Sequence, residues 1–341
     1  MKQTEKKIIP IFYAADENYL PYLAVSICSL KENADRNHHY EIYVLNEKMD
    51  TPDCAELKKY EEEDFRITFL NVSAQIEEVK ASLQLRDYYT GATYYRIFIA
   101  DMFPQYEKAL YIDGDTVLLG DVSELFNVDL QGNLIGAIPD GAVAAVPAFR
   151  VYTKEALGID AEKYFNAGVI LMNLTRFRKE NFYQKFCTLL GQYKFSVAQD
   201  QDYLNVICKD KVTYIDVDWN RMPIGGDEDT YHPKLIHYNL TLKPWHYKNI
   251  LFEEYFWYYA KKTVFYERIC DTLTAYTDEK RAADAQAEKN LIALALKEAA
   301  REDNYYKSIG RAKEMRQVGM DCRKFHRLTA AQSFFYLSRK F

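Results

Sequence analysis

Asp113 and Asp115 stand one residue apart, directly after the apolar run 109–112 and just before a second one, 117–119. The run 109–112 has the length and composition of a buried strand, and Gly114 marks a turn at its carboxyl end. Open α/β sheets bind ligands outside the carboxyl ends of their strands, so the pair sits where chemistry is expected. Two converging carboxylates repel each other unless a cation lies between them, and hard oxygen ligands suit Mg²⁺ or Mn²⁺. A divalent ion holding phosphate is the chemistry this stretch implies.

Three more polar clusters fall at expected strand ends or helix starts: Asp16 with Asn18, Asp200 with Asp202, and His237 with Lys243. Each has a plainer explanation. Asp16 and Asn18 can cap a first helix, and Asp200 and Asp202 can cap a later one. A lone His237 can be a satisfied structural histidine, and Lys243-Pro244-Trp245 a packed turn. The paired aspartates resist such an account, because unpaired charges at a buried strand end are costly. Taken together the clusters suggest nucleoside-diphosphate chemistry. Asp113, Asp115 and His237 supply three ligands to a Mn²⁺-like ion, with positions left for diphosphate oxygens. Lys243 would neutralise the departing phosphate, while Asp16 and Asn18 would bind ribose or base. No GxGxxG or GxxxxGK[ST] occurs, which argues against dinucleotide and P-loop binding. Asp113-Gly114-Asp115-Thr116-Val117 also fits the DxDx[TV] signature of haloacid-dehalogenase-type phosphatases. A long α/β stretch precedes it, however, and Gly226-Asp227-Glu228-Asp229-Thr230-Tyr231 lacks the final acid of their GDxxxD motif.

The elements that must position these groups follow from periodicity. Residues 8–14, 40–45 and 65–70 read as strands, with helices over 19–30 and 55–63 between them. This alternation predicts α/β architecture with a mostly parallel sheet and right-handed crossovers. Next come a helix over 94–102 carrying Arg96, the strand 109–112, a short helix 122–126, and a strand 134–139 ending on Asp140. A strand within 164–174, helices 181–193 and 200–208, and strands 212–217 and 235–238 complete the pattern. From residue 252 the character changes, with helical stretches at 252–265 and 278–302. The expected division is a catalytic domain at 1–251 and a helical extension at 252–341.

The chain has 341 residues, 48% hydrophobic and 28% charged, which fits a soluble globular protein of one large domain or one domain plus an appendage. Its six cysteines are scattered without CxxC spacing, as expected of reduced thiols in a cytosolic protein. Asp16 and Glu17 end the first apolar run too early for a signal peptide, and no run is long enough for a transmembrane helix. The net charge of −6 argues against nucleic acid as partner. Residues 306–341 nevertheless carry nine Lys/Arg against Glu314 and Asp321, a net +7. With the aromatic run 334–336 they suggest peripheral contact with an anionic membrane, against the alternative of a helix packed with its basic face outward.

Seven motifs in fixed order carry a resemblance. They are Ala14-Ala15-Asp16-Glu17-Asn18-Tyr19; Arg96 in Thr93-Tyr94-Tyr95-Arg96; Leu110-Tyr111-Ile112-Asp113-Gly114-Asp115; Asp140 after Ile138-Pro139; Tyr164-Phe165-Asn166-Ala167-Gly168-Val169; Gln199-Asp200-Gln201-Asp202-Tyr203-Leu204-Asn205; and His237-Tyr238 followed by Lys243-Pro244-Trp245-His246. In these the chain, over residues 8–247, resembles the retaining glycosyltransferases of family 8, which include bacterial lipooligosaccharide α-galactosyltransferases and glycogenin. The resemblance implies a GT-A fold, Mn²⁺ (or Mg²⁺), and a UDP-hexose donor, glucose or galactose. Donor binding then falls to Ala14, Ala15, Asp16, Asn18, Arg96, Asp113, Gly114, Asp115, Asn166, Ala167, Asp200, Gln201, His237 and Lys243. The metal ligands are Asp113, Asp115 and His237, and Asp140 touches acceptor or sugar.

Gln201, nearest the anomeric carbon by this resemblance, is a poor nucleophile. Front-face substitution is therefore expected, with Asp200, Gln201 and Lys243 as the catalytic set and Asp200 the candidate for a covalent intermediate. One departure stands out: where the family often has a glycine three residues after the metal histidine, this chain has Leu240. The implied activity is hexose transfer to a glycan or lipid-linked acceptor in bacterial surface polysaccharide or lipopolysaccharide synthesis. It would take place in the cytoplasm, at the inner face of the membrane. Two alternatives are a catalytically silent nucleotide-sugar binder on the same fold and a self-glycosylating, glycogenin-like protein, the latter encouraged by 29 tyrosines.

Overall fold

Among the described residues nine strands form: β1 (Lys7–Ala14), β2 (His38–Asn46), β3 (Phe65–Asn71), β4 (Lys108–Ile112), β5 (Thr116–Leu118), β6 (Ile135–Pro139), β7 (Phe165–Asn173), β8 (Val212–Tyr214) and β9 (Leu235–His237). They are seen in a computed structural model that describes residues 6–48, 51–77, 79, 91–225 and 231–311. Seven of them make one sheet in the order β3-β2-β1-β4-β7-β6-β8, and β5 with β9 makes a separate ribbon. The sheet is buried on both faces, which is why its central strands read as unbroken apolar runs. In β1, Ile9, Ile11 and Tyr13 join one apolar layer and Phe12 the other, all fully buried.

Strand direction decides where the site forms. β1 runs parallel to β2 and β4, and β2 parallel to β3, while β7 runs antiparallel to both β4 and β6. The carboxyl ends of β1, β4 and β6 and the amino end of β7 therefore meet at one edge of the sheet. The chain positions Ala14, Asp113, Asp140 and Asn166 lie at those four ends. Between β6 and β7 the register shifts, with Ala137 opposite Ile170 but Ile138 opposite Asn166. This bulge takes Ala167 and Gly168 out of the ladder and leaves their backbone groups to other partners.

The helix expected over 55–63 is Pro52–Lys58 and the one expected over 252–265 is Glu253–Ala260; two further differences lie nearer the site. The strand expected over 212–217 ends at Tyr214, because Asp216 accepts from the Asp218 N–H at 2.9 Å and starts a 3-10 turn, Val217–Asn220. The helix expected over 94–102 is mostly a 3-10 helix, Gly91–Phe98, with a single α-turn, Ile99–Met102.

The helices after residue 251 share the core of the sheet. Phe256, Tyr259 and Ile269 pack in the layer that holds Ile9 and Ile11, and Ala295 of the long helix Asp278–Ala300 joins the opposite layer. The helix Tyr266–Thr274 was not foreseen; it is short and buries only Ile269. Residues 312–341 lie outside the described residues, and with them most of the basic tail. Among the described residues, no helix is long and apolar enough to cross a membrane.

Candidate active site

Asp113 leaves the end of β4 through a tight turn. Its N–H donates to Gly168 O at 2.7 Å, and Thr116 Oγ1 donates to Asp113 O at 2.9 Å. The chain then enters β5, which pairs antiparallel with β9 so that Thr116 lies opposite His237. That ribbon brings in a histidine far along the chain. His237 Nε2 comes within 3.2 Å of Asp115 Oδ1 and 3.7 Å of Asp113 Oδ2. Ligand atoms of all three residues lie within 4.8 Å of one another.

Every residue expected at the site except Asn18 lines a single cavity at this edge of the sheet. Asn18 is exposed and borders a separate surface groove with Glu17 and Arg268. Its N–H, with that of Tyr19, donates to Asp16 Oδ1 at 2.9 and 3.1 Å, so the capping role of Asp16 is real. Tyr19 OH in turn donates to Asp115 Oδ2 at 3.2 Å, linking that end of the cavity to the acidic pair.

Arg96, 3% exposed, is the electrostatic hub. Its Nη2 lies 3.3 Å from Asp113 Oδ1, its Nε lies 3.1 Å from Asp200 Oδ2, and its guanidinium sits 4.3 Å over the Tyr111 ring. Nε also donates to Thr93 O at 2.8 Å and Nη1 donates to Ala167 O, a carbonyl that the bulge has freed. Burial pushes the Asp200 carboxyl up to about 7; Arg96 opposes that rise and the charge of Asp113 adds to it. The residue before it, Gln199, has the unusual backbone angles φ 48°, ψ −119°. Asp202 is structural: it accepts from the hydroxyls of Tyr152 and Tyr164 at 2.8 and 2.7 Å and from the Ala198 N–H at 2.9 Å.

Opposite Arg96, the buried Lys243 donates to Asp115 Oδ2. Burial alone would raise the Asp115 carboxyl, but Lys243 and His237 outweigh it and hold the group well below the usual carboxylate range. Asp115 Oδ1 has no hydrogen-bond partner among the described residues. A buried carboxylate oxygen without a donor is costly. Two ligands in neighbouring positions of an octahedral Mg²⁺ or Mn²⁺ stand roughly 3 Å apart. The 3.2 and 3.7 Å separations from His237 Nε2 are therefore those of a set that closes on such an ion.

The half of the cavity expected to face the sugar is held by amides. Gln201 Oε1 accepts from the Ala167 N–H at 3.0 Å, and both Gln201 Nε2 and Asn166 Nδ2 donate to Asp140 Oδ2 at 3.1 Å. Asp140 Oδ1 also caps the turn that follows β6 by accepting from the Val143 N–H at 3.0 Å. At Leu240 the backbone has φ 50°, the left-handed conformation a glycine would supply, so the closing loop keeps that turn at the cost of a strained leucine.

Among the contributors missed from sequence, three stand out. Asn220 lies 2.9 Å from His237 Nδ1. Leu291, from the helix Asp278–Ala300, forms part of the cavity wall. His246, stacked 3.9 Å from Tyr276, is pushed down to about 4 by burial and by nearby Lys243, Lys280 and Arg281. Of these only His246 lay in a recognisable motif.

A mixed sheet with an acidic pair at the end of its central strand defines a GT-A type of fold. The solved galactosyltransferase LgtC, in complex with donor and acceptor sugar analogues, matches with a TM-score of 0.64 at 25% identity, over 75% of this chain and 96% of that one. A Haemophilus influenzae protein is 31% identical over 220 residues, 64% of this chain and 64% of its own length, slightly under two thirds. The Escherichia coli lipopolysaccharide 1,2-glucosyltransferase is 26% identical over 69% of this chain and 72% of its own. Residues 10–249 match the model of glycosyl transferase family 8, and the chain belongs to that family. The phosphatase reading of the Asp113 motif is thereby set aside.

Proposed function

We propose that the protein is a retaining hexosyltransferase that takes glucose or galactose from a UDP-sugar, uses Mn²⁺ or Mg²⁺, and builds a bacterial surface glycan. The observation that carries this reading is the orphaned Asp115 Oδ1 facing His237 Nε2 beside Asp113. A divalent ion held by Asp113, Asp115 and His237 would supply positive charge to the diphosphate. The glucosyl- and galactosyltransferase relatives support the hexose class.

In this account Ala14, Ala15 and Asp16 bind the nucleoside end of the donor. Lys243, once released from Asp115, neutralises the departing diphosphate. Asp200 and Gln201 hold the sugar, with Arg96 fixing the first and Asp140 and the Ala167 N–H fixing the second. Both ends of the Gln201 amide are engaged, which suits it to positioning rather than attack. The bond from the anomeric carbon to phosphate breaks as the bond to the acceptor oxygen forms on the same face, and the acceptor proton passes to the departing phosphate oxygen. Mass spectrometry of the protein trapped during turnover tests this route. The expected result is no glycosylated peptide; sugar on Asp200 or Gln201 would establish a covalent route instead.

A further inference from the structure

Asn220 sits in the 3-10 turn Val217–Asn220, outside every motif, and is 2% exposed. We infer that Asn220 fixes the tautomer of His237 and so aims the Nε2 lone pair at the cation, acting as a positioning residue. The inference rests on the metal reading above.

Backbone donors supply the logic, because an N–H can only donate. The Gly168 N–H donates to Asn166 Oδ1 at 2.9 Å, which fixes the orientation of that amide. The Asn220 group 3.0 Å from the same oxygen must then be its NH₂. The other end of Asn220, a carbonyl oxygen, faces His237 Nδ1 at 2.9 Å. A carbonyl only accepts, so Nδ1 carries the proton and Nε2 is left to ligate. At the far end Asn166 Nδ2 donates to the buried carboxylate of Asp140. The chain Asp140–Asn166–Asn220–His237 thus has a single sense, with an anion at one end and the acidic pair facing Nε2 at the other. Backbone groups freed by the β7 bulge lock it. Partners of this kind orient metal-bound imidazoles, and their loss weakens metal binding.

Two measurements test the inference. Nitrogen-15 correlation spectra of the His237 ring in the unaltered, metal-free protein should show Nδ1 protonated; an unprotonated Nδ1 overturns the assignment without any variant having to fold. Mn²⁺ titration followed by electron paramagnetic resonance then compares the wild-type protein with Asn220→Ala and Asn220→Asp. Asn220→Ala should weaken Mn²⁺ binding by about 10- to 100-fold. Asn220→Asp keeps an acceptor for Nδ1 although it gives up the donor to Asn166 Oδ1, and should bind Mn²⁺ more tightly than Asn220→Ala. Equal Mn²⁺ affinity in Asn220→Ala and wild type would overturn the role of Asn220. A wild-type protein that takes up no Mn²⁺ would instead overturn the metal reading on which that role depends.

Discussion

Lys243 donates to Oδ2 of Asp115 while His237 Nε2 stands 3.2 Å from Oδ1 of the same carboxylate. In the proposed account the lysine assigned to the leaving group is therefore also the charge that neutralises Asp115 when no divalent ion is bound. Lysine and cation would then compete for Asp115 until nucleotide drew the lysine away. Lys243→Met should tighten Mn²⁺ binding to the nucleotide-free protein several-fold. It should also lower UDP-sugar turnover by about 10²- to 10³-fold, the usual effect of losing a preorganised charge at a leaving group. Paramagnetic titration and UDP release measure the two effects, and unaltered turnover would remove Lys243 from the leaving-group role.

Gly168 is required by space rather than by backbone freedom. A Cβ there would lie 2.7 Å from Asp113 Oδ2 and strike the His237 ring. Gly168→Ala should push two of the three ligands apart and reduce Mn²⁺ affinity at least tenfold. Its overpacking cost to stability should be about 1–3 kcal/mol. Metal titration beside urea unfolding separates the two effects.

Asp200 makes stability depend on pH in a predictable direction. Its carboxyl is raised from 3.8 to about 7 in the folded protein, chiefly by burial. Between those values the folded state binds more protons than the unfolded state, so stability falls as pH rises from about 4 to about 7 and levels off above. The full shift corresponds to an effect on the order of 4 kcal/mol. Urea unfolding of the metal-free protein at pH 5 and pH 8 should show this fall. In Asp200→Asn the difference between the two pH values should shrink by the part of that shift lying between pH 5 and about 7, on the order of 2–3 kcal/mol, while transfer is lost.

The long helix Asp278–Ala300 reaches the loop that carries Lys243. Asp284 Oδ2 accepts from the hydroxyls of Tyr247 and Tyr276, each at 2.6 Å, and Arg281 donates to His246 O at 3.3 Å. Asp284→Ala removes the shared acceptor of two half-buried tyrosine hydroxyls and should cost about 1 kcal/mol. It should also raise KM for the donor more than KM for the acceptor, because in the proposed account the loosened loop is the one that meets the diphosphate. Steady-state kinetics with each substrate varied in turn checks this.

The strand ends were legible because apolar runs and the polar residues after them are local signals. Asp113, Asp115, Asp200, His237 and Lys243 were found that way, and Leu240 was noticed as a departure from a motif. The antiparallel course of β7 was not legible. It depends on pairing with Lys108–Ile112 and Ile135–Pro139, and no local pattern encodes direction. The bulge at Ala167 and Gly168 follows from that pairing and was equally hidden. Asn220 left no trace because its role depends on two partners, Asn166 and His237, that only the folded chain brings together. Asp16 and Asp202 had fair structural explanations from the outset. The structure gives Asp202 a different structural role, anchoring the Tyr152 and Tyr164 hydroxyls and the Ala198 N–H rather than capping the helix, and gives Asp16 a cap that also lines the cavity.

The most direct test of the central claim is UDP release from a panel of UDP-sugars, with Mn²⁺ and with chelator, by the wild-type protein and by Asp113→Asn. The account predicts turnover of UDP-glucose or UDP-galactose that needs the divalent ion and disappears in a well-folded Asp113→Asn protein. Near-normal, Mn²⁺-dependent turnover by Asp113→Asn would contradict it, since the cation would then be held elsewhere.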